Sequence, residues 1–130
     1  RDPGSRTKIA VYSKQSGVDP VGSCVGQKGV RVQNVINELN NEKVDIIQFS
    51  EDLEKFVVSA LAPAENLTVK VNQKTNNATV SAPADQLPLA IGREGQNAKL
   101  AGKLTGLHID IVQNPISNSQ EIKDEPENEK

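Results

Sequence analysis

Two short glycine motifs are the stretches of this sequence best suited to chemistry. Gly26-Gln27-Lys28-Gly29 and Gly92-Arg93-Glu94-Gly95 each follow an apolar residue, Val25 or Ile91, and each leads into a helix-like run. Glycine is a poor helix former, about 1 kcal/mol worse than alanine, so a pair placed at a helix start needs a reason. Glycine tolerates positive φ and has no side chain to block an approaching backbone. A helix that starts directly after such a turn presents free N–H groups and the positive end of its dipole. Together these features suit a sugar-phosphate backbone. Lys28 and Arg93 add charge within the loops, and Arg31, Lys99 and Lys103 add it along the helices that follow. Val25 and Ile91 are expected to floor a groove beside each loop.

The motif is repeated with its surroundings. Asp19, Val21, Val25, Gly26, Gly29, Val32 and Val35 recur 66 residues later as Asp85, Leu87, Ile91, Gly92, Gly95, Ala98 and Ala101. With a one-residue gap, Val44-Asp45-Ile46 then matches Ile109-Asp110-Ile111. A single G-x-x-G is as well explained by a helix-helix corner. Two copies with matching flanks point to a duplicated unit.

Elements that would hold the loops can be read from periodicity. Residues 7–13 alternate as a strand, with Ile9 and Val11 on one face. Asp19 followed by Pro20 reads as a helix cap and first position. Val32, Ile36 and Leu39 mark a helical face, and residues 44–49 a strand. Ser50 is expected to cap a helix with Glu51, Asp52 and Glu54 in its first turn. Leu53, Phe56, Val57, Ala60 and Leu61 form its apolar stripe, and Pro63 stops it. Residues 67–71 and 78–82 read as a hairpin. Asp85 is expected to begin a second short helix, followed by the second glycine loop, a helix through Leu104 and a strand over 108–112.

Composition limits the function classes. The 130 residues carry a net charge of −2, with 35% hydrophobic and 25% charged residues. From Asn114 onward there are five acids and two lysines, whereas the body before it holds 13 basic and 12 acidic residues. Any basic patch must therefore be local. The acidic stretch 114–130 is expected to be a disordered tail. No apolar run is long enough for a membrane helix. Cys24, the single cysteine, excludes an internal disulfide and reads as a small packed residue. His108 is the only histidine and reads as a surface side chain. Neither loop continues as a P-loop or as a G-x-G dinucleotide motif. Three aromatic rings are too few for a base-stacking platform. No residues group as a catalytic or metal-binding set, so no enzyme, metal or cofactor is expected.

The frame of strand, helix, G-x-x-G, helix and strand resembles the KH domain, whose loop clamps about four nucleotides of single-stranded nucleic acid. The α-β-β-α-α-β order of the second unit resembles the prokaryotic type II form. Residues 1–13, 19–39, 42–47 and 86–106 together are similar to the tandem KH segment of the NusA family of bacterial transcription termination/antitermination factors. The resemblance covers roughly residues 1–112. It implies an α/β (α+β) fold of two tandem type II KH modules, followed by the tail. The first module, 1–49, would lack its leading helix and strand, as expected of a piece of a longer protein; the second would span 50–113. It implies binding of single-stranded nascent RNA by a cytoplasmic monomer acting in pausing, termination and antitermination. RNA polymerase and other antitermination factors would be met through the full-length protein. Carried over by position, Val25, Gly26, Gln27, Lys28, Gly29 and Arg31 would form one RNA site. Ile91, Gly92, Arg93, Glu94, Gly95, Gln96, Asn97 and Lys99 would form the other. A protein-docking module, or a KH appendage of a ribosome-assembly protein, are the alternatives.

Overall fold

A computed structural model describes residues 1–114. The first half runs β1 (Arg6–Val11), α1 (Pro20–Val25), a 3-10 turn (Gln27–Gly29), α2 (Val30–Glu38) and β2 (Lys43–Gln48). The second runs α3 (Leu53–Ala60), β3 (Thr68–Asn72), β4 (Asn77–Ala82), α4 (Leu87–Ile91), a 3-10 turn (Arg93–Gly95), α5 (Gln96–Thr105) and β5 (His108–Gln113). β1 and β2 pair in parallel, Ile9 opposite Ile46. The second sheet has the order β3-β4-β5, with β3 antiparallel and β5 parallel to β4. This is the duplicated α/β frame expected, with α3 and β3 having no counterpart among the described residues before β1.

Local sequence explains most boundaries. Asp19 caps α1, its Oδ1 accepting from the Gly22 N–H at 3.1 Å, with Pro20 in first position. The α3 cap is a correction. Asp52, not Ser50, accepts from the Glu54 and Lys55 N–H groups, and Ser50 Oγ accepts from the Asp52 N–H instead. The start of α4 is another. Asp85 does not cap it; the Pro83 carbonyl accepts from the N–H groups of Gln86 and Leu87, and the helix begins at Leu87. Asn114, expected in the tail, extends the β5 pairing by donating to the Ala82 carbonyl at 2.8 Å. The remainder of the expected tail, 115–130, lies outside the described residues.

The core sits mainly in the second half. Phe56, Val57, Ala60 and Leu61 of the α3 region pack with Val69, Ala78, Val80, Ala101 and Leu107. Ile47 joins them from β2, and Ala10 packs against the cluster from β1. One face of the β1-β2 sheet is thus covered by α3 and α5. Lys8, on the same face and only 6% exposed, donates to Asp45 Oδ2 at 2.7 Å and to the Ala62 carbonyl at 2.9 Å. Burial pulls its ammonium below the usual lysine value, against the opposing pull of Asp45. A chain of aromatic rings, Tyr12, Phe49 and Phe56, continues the contact. Only Phe49 to Asp52 separate β2 from α3, so a short connection and a shared core hold the two halves together.

The other face of β1-β2 is covered less well. α1 and α2 contribute no fully buried residue, and Ile9, Val30 and Val35 remain exposed. Glu42 anchors the beginning of the chain. Its carboxylate receives both Arg1 guanidinium bonds at 3.1 Å, the Gly4 N–H at 2.8 Å and the Thr7 hydroxyl.

Candidate nucleic-acid interface

The two glycine loops adopt nearly the same backbone although their middle residues differ. Gly26 has φ 80° and ψ 171°, and Gly92 has φ 79° and ψ 169°. Lys28 and Glu94 both sit at φ 56°, and Gly29 and Gly95 at φ 75° and 77°. The left-handed region penalises side chains with a Cβ. Three positions of each loop thus have positive φ, and glycine occupies two of them. The first glycine is also required by space. A Cβ on Gly26 would lie 2.7 Å from Arg31 Cγ, and one on Gly92 would lie 2.7 Å from the Asn97 backbone nitrogen. The second glycine has room for a Cβ and is required by φ alone.

Each 3-10 turn leaves its leading N–H groups without internal partners. These belong to Gln27 and Lys28 in one loop and to Arg93 and Glu94 in the other, all exposed. Among the described residues Lys28, Arg93 and Lys99 form no ion pair. Each loop therefore sets N–H groups of exposed residues, free of internal partners, beside an unengaged cation, a pairing suited to phosphate oxygens. Glu94 stands where the first loop has Lys28, so the first loop carries net positive charge and the second is neutral.

Three expected contact residues form hydrogen bonds within the chain. Asn97 is only 1% exposed, and its Nδ2 donates to the carbonyls of Leu61, Leu89 and Ala90 at 2.9, 3.1 and 3.0 Å. It is a buried brace behind the loop, not a surface contact. Arg31, its counterpart in the repeat, donates Nη1 to the Ser23 carbonyl at 2.9 Å and leans on Gly26. Gln96 donates Nε2 to Asp2 Oδ2 at 2.8 Å and Ser5 Oγ at 2.6 Å, joining the second loop to the start of the first half. Cys24, expected to be packed, is exposed.

A groove of about 490 Å³ runs between α5 and β5. Leu107 and Ile109 line it together with Lys99, Lys103 and His108. Val25 and Ile91, expected to floor a groove beside each loop, are half-buried and 37% exposed respectively, and Ile91 does not line this α5–β5 groove. Sequence reading missed His108 as a groove residue, because a lone histidine at a strand start carries no signal until α5 is packed beside it.

Comparison with known proteins agrees with this architecture. Residues 1–49 match the family described as the NusA-like first KH domain, and residues 53–119 match the NusA-like second KH domain. The transcription termination/antitermination protein NusA of Halalkalibacterium halodurans is 49% identical over 122 residues, covering 94% of this chain and 31% of that protein. NusA of Bacillus subtilis is 54% identical over 111 residues, covering 85% of this chain and 30% of that protein. The chain thus spans under a third of the length of these relatives. A solved structure described as the crystal structure of APE1850 aligns with a TM-score of 0.55 at 21% identity, covering 85% of this chain and 79% of that one, which supports the fold alone. The chain belongs to the NusA-like KH domain family, with a first and a second KH domain in tandem.

Proposed function

We propose that this chain binds single-stranded RNA through both glycine loops, as the RNA-binding part of a bacterial transcription termination/antitermination factor. The observation that carries the reading is the repeated loop: two turns of matching dihedral angles, each formed by exposed residues with unpartnered N–H groups and an unengaged cation. Modules spanning 1–49 and 50–113 each supply one clamp. Gly26 to Gly29 and Gly92 to Gly95 form the backbone cradles. Lys28, Arg93 and Lys99 meet phosphates, and the α5–β5 groove takes bases on Leu107 and Ile109. Arg31, Gln96 and Asn97 hold the loops in shape. The names of the relatives support a role in termination and antitermination. In this reading the chain catalyses no reaction and works in the cytoplasm as part of a monomeric factor. RNA polymerase and other antitermination factors are engaged by the longer protein.

Titration with a short single-stranded RNA and with a duplex of the same sequence, at two salt concentrations, tests the reading. Single-strand preference with a falling log K against log salt is expected. Equal or absent binding of both RNAs would overturn it. A docking role has one observation in its favour, a cavity lined by Phe49, Val58 and Leu67 that shares no residue with either loop.

A further inference from the structure

The second sheet has a free side. In the order β3-β4-β5, β3 has one neighbour, and among the described residues no strand pairs with its outer edge. Such an edge is a row of unpaired N–H and C=O groups. Beside it, bounded by α3, β3 and the connection that follows β2, lies a cavity of about 690 Å³. Phe49 and Val58, 38% and 37% exposed, give it an apolar wall together with half-buried Leu67. Lys55 and Glu54 also line it, and neither forms an ion pair among the described residues. A helix beside a free strand edge, with an apolar hollow between them, is a geometry that takes up an extended peptide as an added strand. Main-chain hydrogen bonds to the edge hold such a peptide, and alternate side chains fill the hollow.

The chain itself supplies a peptide of the right reach. β5 ends at the end of the sheet where β3 begins: Thr68 is paired with Ser81, and Ser81 with Val112. A strand outside β3 would be three strand spacings from β5, about 14 Å. Ile116 and Ile122 are the only aliphatic residues from 115 to 130. Ile116 is two residues past Asn114 and reaches about 7 Å, which is too short; Ile122 is eight residues past it and reaches about 27 Å. We propose that residues 120–124 dock in the α3–β3 groove as an added strand, with the Ile122 side chain in the hollow between Val58 and Leu67. The segment arrives where β3 begins, so it runs parallel to β3. Asp124 falls on the same side of the strand as Ile122, where Lys55, one turn of α3 before Val58, can meet it. Pro126 has no N–H and ends the pairing. The groove shares no residue with either glycine loop, so the docked segment leaves both loops open.

NMR spectroscopy of the full chain tests the proposal. Residues 120–124 are expected to give heteronuclear NOE values close to those of β5. Ile122→Ser alters no residue of the hydrophobic core, so the fold should survive it. It should lower the NOE values of 120–124 to those of 127–130 and shift the methyl resonances of Val58 and Leu67. Ile116→Ser should do neither. Val58→Glu, at an exposed position of α3, should release the segment from the other side of the contact. NOE values that fall steadily from 115 to 130 in the parent would overturn the proposal. So would Val58 and Leu67 methyl resonances that do not respond to Ile122→Ser, an outcome that leaves the groove to a partner outside the chain. If the response depends on protein concentration, the groove holds the segment of a second copy, and docking within the chain is wrong.

Discussion

The two KH modules build the same loop on unequal foundations. In the second, α5 places Asn97, Leu100, Ala101 and Leu104 along one stripe; the first three are buried, and α5 packs against α3 and β1. The matching positions of α2 are Arg31, Asn34, Val35 and Glu38, all exposed. The brace changes accordingly. Asn97 makes three hydrogen bonds to carbonyls, two of them buried, whereas Arg31 makes one exposed bond to Ser23, the counterpart of Leu89. Yet the loop dihedral angles agree within a few degrees. Loop shape is therefore set by the glycines and by the residue leaning on the first of them. Its rigidity is set by what lies underneath. Charge is distributed the other way, since the better-supported loop carries Glu94 where the less-supported one carries Lys28.

The largest expected difference is in local stability. Amide hydrogen exchange should be fastest in α1 and α2, which bury no residue fully, and slowest in α3, β4 and α5. Equal protection of α2 and α5 would break the comparison. Next come the glycines. Gly92→Ala must tolerate φ 79° and a Cβ 2.7 Å from a backbone nitrogen, so a loss above about 2 kcal/mol is expected in urea unfolding. Gly95→Ala meets only the φ penalty, and its loss should stay near about 1 kcal/mol. A reversed order would mean that the Asn97 backbone yields easily.

The braces give a smaller contrast. Asn97→Ala leaves three carbonyls without their side-chain donor and should cost about 1–3 kcal/mol. Arg31→Ala should cost under about 1 kcal/mol, because water replaces its single exposed bond. Comparable losses would show that burial does not separate the two braces. A further contrast concerns pH. Hydrogen bonds from Arg1, then Thr7 and Gly4, hold the Glu42 carboxyl down from 4.5 to about 2. A carboxyl lowered in the folded state stabilises it fully above its unfolded value, and that contribution is lost as pH falls through the folded one. The stability gap between the parent and Glu42→Gln should therefore narrow between about pH 5 and pH 2. A gap independent of pH would show that Glu42 is not held as a carboxylate.

Much of this frame was legible beforehand because its signals are local. Asp19-Pro20 announces a helix start, alternation marks β1 and β2, and paired glycines before a helical run mark the loops. The misses share a cause. Ser50 and Asp52 are both good caps, and only the path of the chain decides between them. Gln96 and Asn97 are adjacent amides at a helix start and look equally available. The stripe Asn97, Leu100, Ala101 and Leu104 follows the spacing of an inward face, and that pattern could have assigned Asn97 to the interior. Nothing comparable marks Gln96, whose partners Asp2 and Ser5 lie at the other end of the described chain.

The central claim is that both loops clamp one kind of ligand. Its most direct test is a salt-dependent titration of single-stranded RNA with the parent, with Gln27-Lys28→Asp-Asp, with Arg93-Glu94→Asp-Asp, and with both changes together. All four altered residues are exposed, so folding, checked by circular dichroism and thermal melting, should survive. Each loop change should weaken binding and lower the slope of log K against log salt by about 0.7 for every phosphate that is no longer neutralised. The first loop's change should weaken binding more, because it removes Lys28 from the more positive clamp, and the combined variant should bind most weakly of all. A combined variant that stays folded and binds RNA with the affinity and salt slope of the parent would contradict the account.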